Sequence, residues 1–261
     1  MAVAGPMSRG AEDLLAALKV LGGPSGWDAK AWKWELPEPR ARRLRDFRVG
    51  YVIDDPFAHP STEVRRVLEK TVEALSRAGA QTKPGWPSSF NPKELLGNYL
   101  FLLEAFFTSL GSPQEQEQMR KAMGGSLSGA GPQAFSLQSW QRQNFRRLAF
   151  RQQWQAYFEQ IDVFLSPVSI TPAFLHDHST PMDARVIATA DGPRRYMENF
   201  NWICAATLTG CPATVAPAGL TEAGLPVGIQ IMGPYWEDST PLTFATLLAK
   251  EIGGFKPPPG H

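Results

Sequence analysis

His176-Asp177-His178, with Asp183 close behind, is the spacing in this sequence that most resembles a metal site. Two imidazoles on alternate residues supply two ligands, and zinc needs a third from the protein even in an open site. No anchored third ligand is evident, so no metal is expected. The segment leaves the C-terminal end of an expected strand, where α/β folds place ligands, and reads either as a pocket rim or as a plain loop. Ser126 and Ser128 lie in the Gly/Ser stretch Gly124–Gly131. A nucleophile elbow needs G-x-S-x-G, but Gly124 and Ser126 are followed by Ser128 in the last position. This stretch therefore reads as a flexible turn. Cys204 and Cys211 would need an activating base or cation to attack as thiolates; none stands nearby in sequence, and both read as core residues. Arg142, Arg146, Arg147 and Arg151 recur along a helical stretch rich in Gln, which reads as a solvated face rather than a phosphate-binding one. Tyr196, Phe200 and Trp202 read as packing residues, with a share in an acyl or aryl pocket left open.

The elements that must position these residues follow from periodicity. Leu14, Leu15, Leu18 and Leu21 share one face of a helix over Glu12–Leu21, with Ser8 as its expected N-cap and Gly22-Gly23 as its stop. Trp27, Trp32 and Trp34 then fall in a loop expected to pack on the surface. FRVGYVIDDP is a buried strand running into a loop. Ser61 opens an amphipathic helix (Val64, Val67, Leu68, Val72, Leu75) closed by Gly79, and a short strand follows near Ala80–Lys83. Strand, crossover helix and strand imply parallel pairing. Asn91-Pro92-Lys93-Glu94 starts another helix, and a further one runs from about Leu137 to Gln160, with KAMGGSLSGAGPQ as a loop between them. Strands are expected at Val163–Ile170, from Pro212 and from Pro226, the last two as a hairpin. Thr240-Pro241 opens the final helix. The fold class is α/β, a mixed sheet with helices on both faces, in one domain over residues 1–261.

Composition excludes several functions. With 26 Lys+Arg against 25 Asp+Glu in 261 residues, no basic field draws the chain to nucleic acid or an anionic membrane. The apolar stretch Leu95–Leu110 contains Asn98 and Glu104 and is too short to span a bilayer. No signal peptide is visible. Two cysteines are too few for a disulfide scaffold and fit a reducing cytoplasm.

Four stretches together resemble the amidase-signature family: AVAGPMSRGAEDLLAALKVLGG; FRVGYVIDDP with the helix after it; IDVFLSPVSITPAF; and NWICAATLTGCPATVAPAG continuing into GLPVGIQIMGPYWEDSTPLTFATLLAKEIGGFKPPPG. The LTGxPA…GLPVGIQI pattern carries most of the likeness, and residues 91–160 carry least. The resemblance implies amide, sometimes ester, hydrolysis by a Ser–Ser–Lys triad, a relative of the His-based triads, with backbone N–H groups of a Gly/Ser loop stabilising the oxyanion. In the family these parts precede the segment similar to Ala4–Leu21, and here only Met1, Ala2 and Val3 precede it. The resemblance thus implies a C-terminal portion with no catalytic residue of its own, inactive alone, while GGFKPPPG resembles a family ending. Implied substrate contacts are Ser166, Pro167, Ser169 and Thr171, with the loop at His176 and His178. Neither cofactor nor metal is implied. Expected partners are a small-molecule amide or ester and either a second copy or an N-terminal segment that completes the fold. Two alternatives stay open: a stand-alone esterase or amidase with a recruited nucleophile, and the non-catalytic half of a split amidase.

Overall fold

The computed structural model describes residues 3–131 and 134–258. The last residues of the family-like ending, and Pro132 and Gln133 of the expected Gly/Ser loop, lie outside the described residues.

Arg48–Tyr51 forms β1, Thr62–Arg77 α2 and Gln81–Pro84 β2. Helix α2 buries Val64, Val67, Leu68, Thr71, Val72 and Leu75 on one stripe, the spacing of an amphipathic helix laid on a sheet. Its end turns through Gly79 at φ +88°, a conformation glycine adopts without steric cost. As expected, β1 and β2 pair in parallel. Val163–Pro167 forms β3, Ala213–Leu220 β6 and Pro226–Met232 β7. The sheet order is β2-β1-β3-β7-β6. Strand β3 is parallel to β1 and antiparallel to β7, and β6 and β7 form the expected antiparallel hairpin.

Helices cover both faces. On one side α2 and Ser239–Ile252 (α7) pack with Val49, Val163, Leu165, Ile229 and Ile231. On the other, Pro92–Thr108 (α3), Leu137–Phe158 (α5) and Cys204–Thr209 (α6) enclose Phe164, Met232, Trp154 and Trp202. Asn91 caps α3, its Oδ1 accepting from the amides of Lys93 and Glu94 at 3.1 and 3.3 Å. The chain is thus α/β with a mixed sheet between helical layers.

Several expectations need correction. Helix α1 (Ala11–Leu21) has Gly10 at its N-cap, with no side-chain cap; Ser8 Oγ instead donates to the Gly10 carbonyl at 2.5 Å. The tryptophan loop is not packed: Trp27 is 88% and Trp32 68% exposed. Strand β3 stops at Pro167 rather than Ile170, where proline brings no ladder donor. The apolar run of β7, which taken alone suits a parallel strand, lies between two antiparallel partners. Two features were not anticipated. Helix α4 (Pro113–Met123) takes up the start of the expected loop, and a separate hairpin joins β4 (Val186–Thr189) to β5 (Gly192–Arg195). Among the described residues no helix is long and apolar enough to cross a membrane.

Candidate functional site

Strand β3 ends where β1 and α2 also converge. The Val52 amide donates to the Leu165 carbonyl at 3.0 Å, and the Ser61 amide, at the N-cap of α2, donates to the Ile170 carbonyl at 2.7 Å. Beyond Pro167 the backbone lines a hollow of about 290 Å³, walled by Val168, Ser169, Thr171 and Pro172, by Val64 of α2, and by Val215 and Gly228 of the hairpin. Its walls are mainly apolar with two hydroxyl side chains, the composition of a small-molecule pocket.

Polar pairs behind the hollow fix its shape. Ser166 and Gln230 face each other across β3 and β7 and both are buried. Gln230 Nε2 donates to Ser166 Oγ at 2.9 Å and to the Trp202 carbonyl at 3.2 Å. Ser169 Oγ donates to Asn199 Oδ1 at 2.7 Å and accepts from the Thr171 amide at 3.3 Å. The segment around Asn199–Trp202 is thereby tied to the end of the sheet. The β4–β5 hairpin is anchored nearby: Asp191 accepts from Thr62 N at 2.6 Å and Thr62 Oγ1 at 2.8 Å. These bonds, the backbone one foremost, hold the Asp191 carboxyl below the usual carboxylate range.

Of the six implied substrate contacts, Ser169 and Thr171 line the hollow. Ser166 and Pro167 are buried in β3 behind it. His176 and His178 stand outside on an exposed loop, their rings 5.7 Å apart. Among the described residues no cluster of three His, Cys, Asp or Glu side chains could hold a metal. Gln230, Asn199 and Ser61 were not anticipated. Gln230 does carry a signal, as the single polar residue inside GIQIM, whereas Asn199 and Ser61 carry none beyond their polarity.

The other candidate nucleophiles are occupied or silent. The buried Glu104 carboxylate accepts from Ser126 Oγ at 2.8 Å, Ser128 N at 2.9 Å and Ser128 Oγ at 2.6 Å. The Gly/Ser stretch is therefore pinned to α3 rather than free. Burial pushes the Cys204 thiol up to about 12 and the Cys211 thiol up to about 11, so neither is a thiolate at neutral pH. Trp202 is buried and stacks on Trp86 at 5.9 Å, and Tyr196 meets Phe174 edge-on at 6.0 Å. A second hollow of about 490 Å³, at the ends of β1 and β2, is lined by Tyr51, Asp54, Asp55, Glu69, Glu73 and Trp86. Asp55 is engaged by Trp86 Nε1 at 2.9 Å, and Asp54 by His59 and Arg65.

Known proteins share both the sequence pattern and this arrangement of strands. The profile of the Amidase family matches residues 1–242. The A subunit of glutamyl-tRNA(Gln) amidotransferase from Thermus thermophilus is 29% identical over 90% of this chain and 52% of its own length. Its namesake from an Exiguobacterium species is 27% identical over 97% of this chain and 56% of its own. The chain spans about half the length of the curated relatives it matches. Among solved structures, the corresponding Thermotoga maritima protein superposes with a TM-score of 0.69 at 20% identity, covering 97% of this chain and 54% of that one. A bacterial aryl acylamidase gives 0.67 at 18%, covering 95% and 52%. At these identities the structural likeness speaks for the fold alone.

Proposed function

The chain belongs to the amidase family, and from that premise we propose that it forms the substrate-facing half of a carboxamide-cleaving site whose nucleophile comes from a completing segment or partner chain. One observation carries the reading: the hollow at the end of β3, with Ser169 and Thr171 in its wall and Val215 of the open-edged strand β6 beside it. A linear or aryl amide enters with its apolar substituent against Val64, Val168 and Val215. The two hydroxyls meet the polar atoms of the amide, and the Gln230–Ser166 and Ser169–Asn199 pairs hold the wall in place.

The completing part supplies what these residues lack. An attacking hydroxyl and its lysine-based proton relay, together with backbone donors for the oxyanion, form the machinery the family resemblance implies. Ser126, Ser128, Cys204 and Cys211 offer no substitute. The first two are spent on Glu104, and the other two are buried thiols. The curated relatives are named as one lettered component of an amidotransferase, a name that itself implies further components, and β6 offers an unpaired edge where another chain could join. The chain acts as one α/β unit in a complex, with a homo-oligomer as the alternative assembly. Its setting is the cytoplasm, in keeping with two free cysteines that form no disulfide.

The test has two arms. Benzamide titrated into isotopically labelled protein is expected to shift the amide signals of Ser169, Thr171 and Gly228 saturably, and Ser169→Val is expected to weaken this. The chain alone is expected to cleave p-nitroanilides and p-nitrophenyl esters no faster than a boiled control. Saturable turnover that disappears on changing Ser126, Ser128, Cys204 or Cys211 would refute the completion reading, and benzamide shifts scattered away from the hollow would refute the assignment of the pocket.

A further inference from the structure

The arginine stripe on α5 does not behave as one solvated face. Arg142 is exposed, and Arg146 pairs with Glu94 at 3.3 Å. Arg147 and Arg151, one turn apart, are half-buried instead. Arg151 Nε donates to the Thr209 carbonyl at 2.5 Å, at the last residue of α6, and its guanidinium lies over the Tyr235 ring at 4.2 Å. Arg147 Nε donates to Asn144 Oδ1 at 2.9 Å. Among the described residues neither arginine lies within ion-pair distance of a carboxylate, whereas other partly buried arginines, such as Arg40, Arg48 and Arg194, each have one.

Two positive groups drawn together out of water, with no counter-charge, are unfavourable as they stand. The strain registers on Arg147: burial first, and the Arg151 charge second, pull its pKa below arginine's ordinary value. Beside them Tyr235 leads into Trp236, an exposed indole held at φ +70°, a conformation rare for a bulky residue and concentrated at functional positions. The terminal Nη groups of Arg147 make no hydrogen bond among the described residues, and their planar fork matches an oxyanion in geometry as well as charge.

We propose that Arg147 and Arg151, backed by Tyr235, form a binding site for an oxyanion, the phosphate or carboxylate group of a small ligand. The site lies on α5 and the loop before α7, and none of its residues lines the hollow at the end of β3. It is therefore independent of the substrate reading above.

The test is thermal unfolding of the intact chain in inorganic phosphate or in acetate, with ionic strength held constant by sodium chloride. The expected result is a saturable rise in Tm with phosphate or acetate beyond that of chloride; whichever anion acts identifies the group carried by the ligand. Arg147→Gln should weaken this response about tenfold or more, the loss of one charge-assisted pair, while Arg142→Gln on the same helix leaves it intact. In anion-poor buffer Arg147→Gln should unfold at a higher temperature than the parent, because the like-charge pair is relieved. A purely structural Arg147 would give a lower one. An unchanged response in Arg147→Gln, or no distinction between phosphate, acetate and chloride, overturns the proposal. Arg147→Lys, which keeps the charge but loses the fork, provides a folded comparison and should respond more weakly than the parent.

Discussion

Gly50 is the position where the packing of helix on sheet is most sharply testable. It lies in β1, opposite Phe164 of β3, and the Tyr157 side chain from α5 rests directly on its Cα. A Cβ at this position would stand 2.9 Å from Tyr157 Cζ and 3.2 Å from Cε1, with Oη closer still. Tyr157 cannot easily retreat, because Trp154, Phe158 and Phe164 hold its ring at centroid distances of 5.8–6.1 Å. Overpacking of this kind costs about 1–3 kcal/mol. Gly50→Ala is therefore expected to lose about 2 kcal/mol in urea unfolding, or about 4–8 °C in Tm for a chain of this size. Tyr157→Phe removes the nearest atom of the clash and one long hydrogen bond to the Gly85 carbonyl, 3.4 Å, and by itself should cost below about 1 kcal/mol. In the double variant the worst contact is gone while Cζ and Cε1 still press. About 1 kcal/mol of the alanine penalty should return, well outside the roughly 0.3–0.5 kcal/mol scatter of independent sites. Circular dichroism of the four proteins in urea measures the cycle. A neutral Gly50→Ala, or strict additivity with Tyr157→Phe, would refute the account of why β1 carries a glycine.

Three further outcomes are expected. Gln230→Leu leaves Ser166 Oγ and the Trp202 carbonyl without their shared donor and should cost about 1–3 kcal/mol; urea unfolding indistinguishable from the parent would count against the role given to that pair. Cys204 and Cys211 should resist a thiol reagent at pH 8 until the chain is unfolded. Since both folded pKa values are raised, to about 12 and about 11, the stability linked to the protonated thiols is whole below the free-thiol value. It is lost as pH climbs through 9 toward 11, and rapid native labelling at pH 8 would contradict the burial. With an open β6 edge and exposed Trp27, Trp32, Val20 and Leu21, the chain should bind ANS and self-associate by light scattering. Val215→Lys, on that edge strand, should reduce the association, and a dilute parent that stays monomeric and binds no ANS would dispose of this expectation.

What the sequence made legible is what hydrophobic periodicity records. The β1–α2–β2 unit and the β6–β7 hairpin were both evident because their buried residues recur at helical or strand spacing between clear turn residues. Helix α4 was not, for a physical reason: PQEQEQMRKAM buries no residue, so it has no apolar stripe to read. Its one local sign was the capping box of Ser112 and Glu115. The β4–β5 hairpin is equally polar, and its sign was Asp191-Gly192 at the turn. At the candidate site, Ser169 and Thr171 came from the family resemblance, not from periodicity. Gln230 and Glu104 could be noticed as polar residues in apolar runs, but their partners lie 64 and some 22–24 residues away. The open tryptophans at 27 and 32 went the other way, because aromatic residues among prolines suggest packing whether or not anything lies against them.

The central place of β3 has a consequence for synthesis. This strand fills the gap between β1 and β7, yet it follows β1 in the chain by about 110 residues. At roughly 5–20 residues per second, Val49–Tyr51 leaves the ribosome some 6–22 s before Val163–Leu165 can join it. Through that interval the β1–α2–β2 unit has one bare edge and an uncovered apolar face, and β7 must emerge later still before β3 is enclosed. Pairings across such long separations form slowly. The nascent chain therefore passes through a prolonged sticky stage, during which holdase binding to β1, rather than final stability, governs the yield of folded protein.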